Sequence, residues 1–121
     1  MPDILLFPGQ GSQFVGMGKD LFDNSNLAKE CYLRASDILG FDIADISFNG
    51  PEKSLKLTQY TQPAIFVHSI VIYKILESRG LTFSGVAGHS LGEFTAFVAA
   101  GVLTFEDAVK LVKVRSSEMA N

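Results

Sequence analysis

Gly88-His89-Ser90-Leu91-Gly92 sets a serine between two glycines, with an apolar run, Val86-Ala87, before it and a helix-like run, Glu93 to Ala100, after it. A strand, then Gly-x-Ser-x-Gly, then a helix is the context of a nucleophile elbow. A serine on so sharp a turn projects its hydroxyl out of the backbone. The glycines remove Cβ atoms where strand and helix pass closely. The helix start adds unpaired backbone N–H groups and the positive end of a dipole, which suit a developing oxyanion. The pattern is short, and a plain glycine-rich turn between strand and helix fits the same residues.

A second candidate is Arg115. Thr104 and Asp107 form a Thr-x-x-Asp capping box that opens a helix to about Met119. Its apolar stripe reads Phe105, Ala108, Leu111 and Val112, and the next position on that stripe is Arg115. Glu106, Lys110 and Lys113 fall on the other face. A guanidinium pointing the way the core points needs an anionic partner or a pocket. Three readings stay open: a structural pair with a buried carboxylate, a surface arginine snorkelling near a frayed helix end, and an anionic ligand.

The third candidate is the loop Pro8-Gly9-Gln10-Gly11-Ser12-Gln13. It follows Asp3 to Phe7, whose unalternating Ile4, Leu5, Leu6 and Phe7 predict a strand buried on both faces of a parallel sheet. Open α/β sheets place ligands at such strand ends. The loop lacks the GxGxxG spacing and the lysine of a P-loop, so nucleotide phosphate is discounted.

The remaining elements must position these three. Gly16 to Phe22 predicts a short helical turn. Ser25 caps a helix from about Asn26 to Leu39, stopped by Gly40, with Leu27, Cys31, Ala35, Ile38 and Leu39 near one face. Asp42 caps one further turn, and Asn49-Gly50-Pro51 breaks the chain. Thr58 to Thr61 reads as a linker, and Thr61 as the cap of a helix with Pro63 in its first turn, ending at Arg79-Gly80. That helix is apolar nearly all round, so it is expected at the centre of the core, with His68 as an interior or boundary residue. Leu81 to Ala87 leads through the second strand to the elbow, and the elbow helix ends at Gly101.

Composition narrows the function. With 121 residues and 47% hydrophobic content the chain can bury a core as one domain, with no internal repeat. A net charge of −3 with no basic block argues against nucleic acid. The longest apolar stretch, Pro63 to Leu76, is interrupted by His68, Ser69 and Lys74 and is too short to span a bilayer. Two histidines and one cysteine, widely spaced, make no metal cluster, and Cys31 reads as a small core residue. The lone cysteine and a start without a basic n-region give a cytoplasmic location as the expectation.

Four segments together, Pro8-Gly9-Gln10-Gly11-Ser12-Gln13, Thr61-Gln62-Pro63-Ala64, Gly88-His89-Ser90-Leu91-Gly92-Glu93 and Arg115, resemble the malonyl-CoA:acyl-carrier-protein transacylases of fatty acid synthesis. Polyketide synthase acyltransferases are close relatives of that family. The resemblance runs end to end. It implies an α/β fold, a parallel sheet flanked by helices forming a hydrolase-like acyltransferase core. It implies that Ser90 is the nucleophile, taking malonyl from malonyl-CoA as a serine ester and passing it to the phosphopantetheine thiol of acyl carrier protein. It implies an oxyanion hole from the backbone N–H groups of Gln10 and Leu91. Arg115 then binds the malonyl carboxylate, and Gln62 and His89 line the substrate site. No bound cofactor or metal is implied.

Family members continue for more than a hundred residues with a ferredoxin-like subdomain, the final strands and the catalytic histidine. Residues 1–121 are therefore expected to be the N-terminal part of the acyltransferase domain, a fragment without that histidine. His89 adjoins the nucleophile and is not taken as the base. The alternatives are a polyketide-type acyltransferase, an inactive acyl-CoA or carrier-protein binding fragment, and a serine hydrolase. A simple esterase has no need of a carboxylate clamp.

Overall fold

The computed structural model describes residues 4–9, 11–80, 85–88 and 90–120. Strand β1, Ile4–Phe7, pairs in parallel with β2, Gly85–Gly88, and Phe7 lies opposite Gly88. A parallel pair needs a long crossover. Among the described residues it holds five helices: α1 (Lys19–Asn24), α2 (Asn26–Leu39), α3 (Ile43–Asn49), α4 (Glu52–Leu55) and α5 (Thr58–Ser78). After β2 come α6 (Leu91–Ala99) and α7 (Phe105–Ala120).

Three of the predicted caps form. Ser25 Oγ accepts from the Ala28 N–H at 3.2 Å, and α2 stops at Gly40, whose φ of 85° is the left-handed conformation open to glycine. Asp42 accepts from the Asp45 N–H at 3.0 Å and starts a helix of seven residues, α3, longer than the single turn expected. Thr104 accepts from the Asp107 N–H at 3.1 Å at the start of α7.

The core lies between α5, α2 and α7. Ala64, Ile65, Phe66, Val67, Ile70 and Val71 of α5 are buried, and Phe66 stacks on Phe105 of α7 at 6.0 Å between ring centroids. Tyr32 of α2 sits between Phe22, at 5.9 Å, and Phe48, at 5.1 Å. Each such side chain contributes about 1.5–3 kcal/mol by leaving water. Cys31 belongs to this core as expected, and burial pushes its thiol pKa up.

Several expectations are corrected. β1 is not covered on both faces: Phe7 is buried against Tyr73 of α5, but Ile4 is 62% and Leu6 77% exposed. Alternate residues of a strand face opposite ways, and the helices cover one of the two faces. Residues 58–61 are not a linker, because α5 begins at Thr58. Thr61 is no cap there; its Oγ1 donates back to the carbonyls of Leu57, at 2.9 Å, and Leu55. Pro63 accordingly falls in the second turn, where its missing N–H leaves the Gln59 carbonyl without its helical donor. The short helical turn expected over residues 16–22 is a turn over residues 15–18 followed by the six-residue helix α1 from Lys19 to Asn24. On α7, Val109 is buried and Leu111 is 45% exposed, so the stripe runs Phe105, Ala108, Val109, Val112 and Ser116. The apolar surround of α5 also thins towards its end, where Ile72 is exposed.

His68 is half-buried on α5, as expected. A Cβ on Gly18 would reach its Cδ2 at 3.2 Å and collide with the Tyr32 hydroxyl, which places the imidazole beside α1. Burial pushes the His68 pKa below its ordinary 6.5, with Asp20 pulling part of the way back. The fold thus favours neutral His68, while the unfolded chain binds a proton near 6.5. That contribution to stability is complete above the unfolded value and is lost as pH falls through the folded one. His68→Gln is expected to melt more nearly alike at about pH 7.5 and about pH 5.5 than the parent does. Equal pH dependence in the two proteins' thermal melts would refute this.

Candidate active site

The parallel register brings the ends of both strands to one edge of the sheet. Phe7 leads into the loop at residues 8–13 and Gly88 leads into the elbow. Two contacts explain the glycines. A Cβ on Gly88 would lie inside the Gly92 carbonyl and 2.7 Å from the Glu93 nitrogen. One on Gly92 would lie inside the Phe7 carbonyl and 3.3 Å from the Pro8 oxygen. The start of α6 therefore rests directly on the backbone of both strands.

Ser90, between them, has φ 56° and ψ −108°. Among the described residues it is the one non-glycine with positive φ. Such backbone costs about 1–3 kcal/mol and persists where the surroundings impose it. Its side chain does not cap α6. The hydroxyl is exposed and accepts instead from Nη2 of Arg115 at 2.6 Å. The elbow reading thus prevails over a plain turn. Leu91, the first residue of α6, is buried to 2% exposure, and its N–H belongs to the helix start, which has no partner within the helix.

Arg115 is half-buried at the margin of the corrected stripe, beside Ser116. Among the described residues its ion-pair partners number none; the pairs formed are Lys19–Asp23, Arg34–Glu106 and Lys56–Glu52. No structural carboxylate among the described residues holds it. What the guanidinium does meet is an aromatic ring: Cζ lies over Phe94, 5.3 Å from its centroid. Phe94 was missed in the sequence, although it stands one helical turn after Ser90 on the elbow helix, the spacing that puts two residues on one face.

Gln62 is 1% exposed, and its Nε2 donates to Thr58 Oγ1 at 2.8 Å and to the Met119 sulfur at 3.3 Å. Met119 lies one turn beyond Arg115, so Gln62 joins the helix that carries the guanidinium rather than the serine itself. Its Oε1 is buried without a partner among the described residues. Gln10 and His89 lie outside the described residues, as do Asp3 and 81–84 of the predicted strands. No group of three or more potential metal ligands occurs among the described residues.

Residues 4–121 match the family described as the acyl transferase domain. The chain belongs to the acyl transferase family. This acyl transferase chain is 45% identical over 117 residues to a malonyl CoA-acyl carrier protein transacylase of Bacillus subtilis, covering 96% of itself and 29% of that protein. It is 47% identical over 116 residues to the Synechocystis transacylase, covering 39% of it. The solved Synechocystis malonyl-CoA:ACP transacylase superposes with a TM-score of 0.95 at 47% identity, over 99% of this chain and 40% of that one. A malonyl-transacylase solved in complex with a type II polyketide synthase acyl-carrier protein gives 0.93 at 40% identity, over 98% of this chain and 39% of that one. The acyl transferase chain thus spans between 29% and 39% of the length of these curated relatives.

Proposed function

We propose that this chain carries the nucleophile and the acid-binding arginine of a malonyl-CoA:acyl-carrier-protein transacylase, residues 1–121 being the N-terminal part of its hydrolase-like domain. The observation that carries the reading is the 2.6 Å bond from Arg115 to Ser90. It sets a cationic fork, without an ionic partner among the described residues, directly beside a serine on a strained elbow. In an acyl donor that bears a carboxylate, the acid would meet the fork and the thioester carbonyl would face Ser90 Oγ.

Attack by Oγ forms the ester bond and a tetrahedral oxyanion, and collapse breaks the C–S bond and releases the coenzyme A thiol. The Leu91 N–H, and by resemblance that of Gln10, holds the oxyanion. The thiol of acyl carrier protein then takes the malonyl group by the reverse chemistry. Arg115 donates to Ser90 Oγ and, as a guanidinium, accepts no proton, so the serine proton needs a separate base. The resemblance assigns that base to a histidine. The histidines of this sequence are His68, held beside α1, and His89.

Malonyl-CoA and acyl carrier protein are thus the proposed substrate and partner, with fatty acid synthesis the proposed pathway. The likeness to the transacylase solved with a polyketide carrier protein supports polyketide synthesis as the second reading. No helix among the described residues is long and apolar enough to cross a membrane.

The test is the intact mass of the chain after incubation with malonyl-CoA. A slow gain of one malonyl group, absent from Ser90→Ala, is expected, since an acyl-transfer site without its base keeps a residual rate. A folded sample that gains nothing, or a gain that persists in Ser90→Ala, would overturn the assignment.

A further inference from the structure

We propose that Phe94 is a positioning residue for Arg115, and that its ring sets how strongly the site prefers acyl groups bearing a carboxylate. The inference rests on the transacylase reading above.

Three observations converge on it. Phe94 lies on α6 one turn after Ser90, so one helix fixes both the nucleophile and the ring. Arg115 comes from α7 and meets both: Nη2 bonds Ser90 Oγ at 2.6 Å, and Cζ lies 5.3 Å from the Phe94 centroid. Among the described residues no carboxylate pairs with Arg115.

The last point gives the ring its significance. A guanidinium can be held by a structural Asp or Glu, but that partner neutralises it and occupies its donors. An aromatic face attracts the cation through its quadrupole and takes none of the N–H groups. Arg115 is thereby held in place with its charge intact. One donor addresses Ser90, and the others are left for an incoming acid. Phe94 is half-buried and packs against the hydrophobic core, so its own position is fixed before any ligand arrives. Holding the fork in advance removes part of the ordering cost of binding.

The readout is equilibrium binding of malonyl-CoA and of acetyl-CoA to the 121-residue chain, by calorimetric titration. Phe94→Leu keeps a side chain of similar bulk without the ring, and Phe94→Tyr keeps the ring. In Phe94→Leu the preference for malonyl-CoA over acetyl-CoA is expected to fall about threefold to tenfold, the worth of one cation–π contact. Acetyl-CoA binding stays at the parent level, and Phe94→Tyr retains the preference. A purely structural role would weaken both ligands together, and that result would overturn the proposal. So would a Phe94→Leu chain with the preference intact. Arg115→Ala separates the two levels of inference. If the parent and Arg115→Ala bind malonyl-CoA equally, the transacylase reading falls and this proposal with it. If Arg115→Ala loses the preference and Phe94→Leu keeps it, only the role of Phe94 falls.

Discussion

Arg115→Ala is expected to weaken malonyl-CoA binding by about tenfold to a hundredfold while leaving acetyl-CoA binding unchanged. The magnitude follows from hydrogen bonds to charged groups, worth about 1.5–3 kcal/mol, at about 1.4 kcal/mol per tenfold. Arg115 is half-buried, so water screens part of that interaction and the lower end of the range is the better guide. Arg115→Lys keeps the charge but loses the fork, and should fall between parent and alanine. Titration with the two acyl-CoA ligands reads the result directly. Equal loss for both would mean that Arg115 supports the fold and does not select the acyl group.

Gly88→Ala and Gly92→Ala are expected to destabilise the chain by on the order of 3 kcal/mol each, a loss of about 10 °C in melting temperature. In both positions the added methyl meets backbone, the Gly92 and Phe7 carbonyls, which cannot swing aside as a flexible side chain would. Gly40→Ala is the control. Its φ is 85°, and a Cβ there would meet nothing within 4 Å. It should cost only the left-handed strain, about 1–2 kcal/mol. Thermal melts of the three variants decide the point. A Gly88→Ala chain as stable as Gly40→Ala would show that strand and helix can part at the elbow.

Much of this site was legible because its signals are local. A serine between glycines, after apolar residues and before a helix, specifies a backbone shape, and Ser90 adopts it. The outlying arginine was legible because helical periodicity is regular enough to carry a stripe forward three turns. The stripe itself was off by one column at Leu111, yet Arg115 still lies on its margin, since positions 111 and 112 both precede it within one turn. Burial was less legible. Ile4 and Leu6 are as apolar as Phe7, and nothing in their types tells that helices cover one side of β1. The start of α5 was misplaced because a threonine ahead of a proline looks like a cap. The same hydroxyl can equally donate to a carbonyl four residues back, and here it does. Phe94 was passed over because an aromatic on a helix is ordinarily core, and only the arrival of Arg115 from another helix gives it a second use.

The seat of Gly92 on the Phe7 carbonyl ties the Ser90 turn to the first strand. Eighty-odd residues separate them along the chain, but only van der Waals contact separates them in space. β1 is four residues long, has one described neighbour and buries a single side chain, features that place a segment at the low end of local stability. Local opening of β1 withdraws the floor on which the elbow helix stands. The Ser90 backbone is then free to relax from its positive φ. The orientation of the Ser90 hydroxyl is accordingly expected to depend on β1 staying closed. Amide exchange at β1 and at the first turn of α6 would rise and fall together.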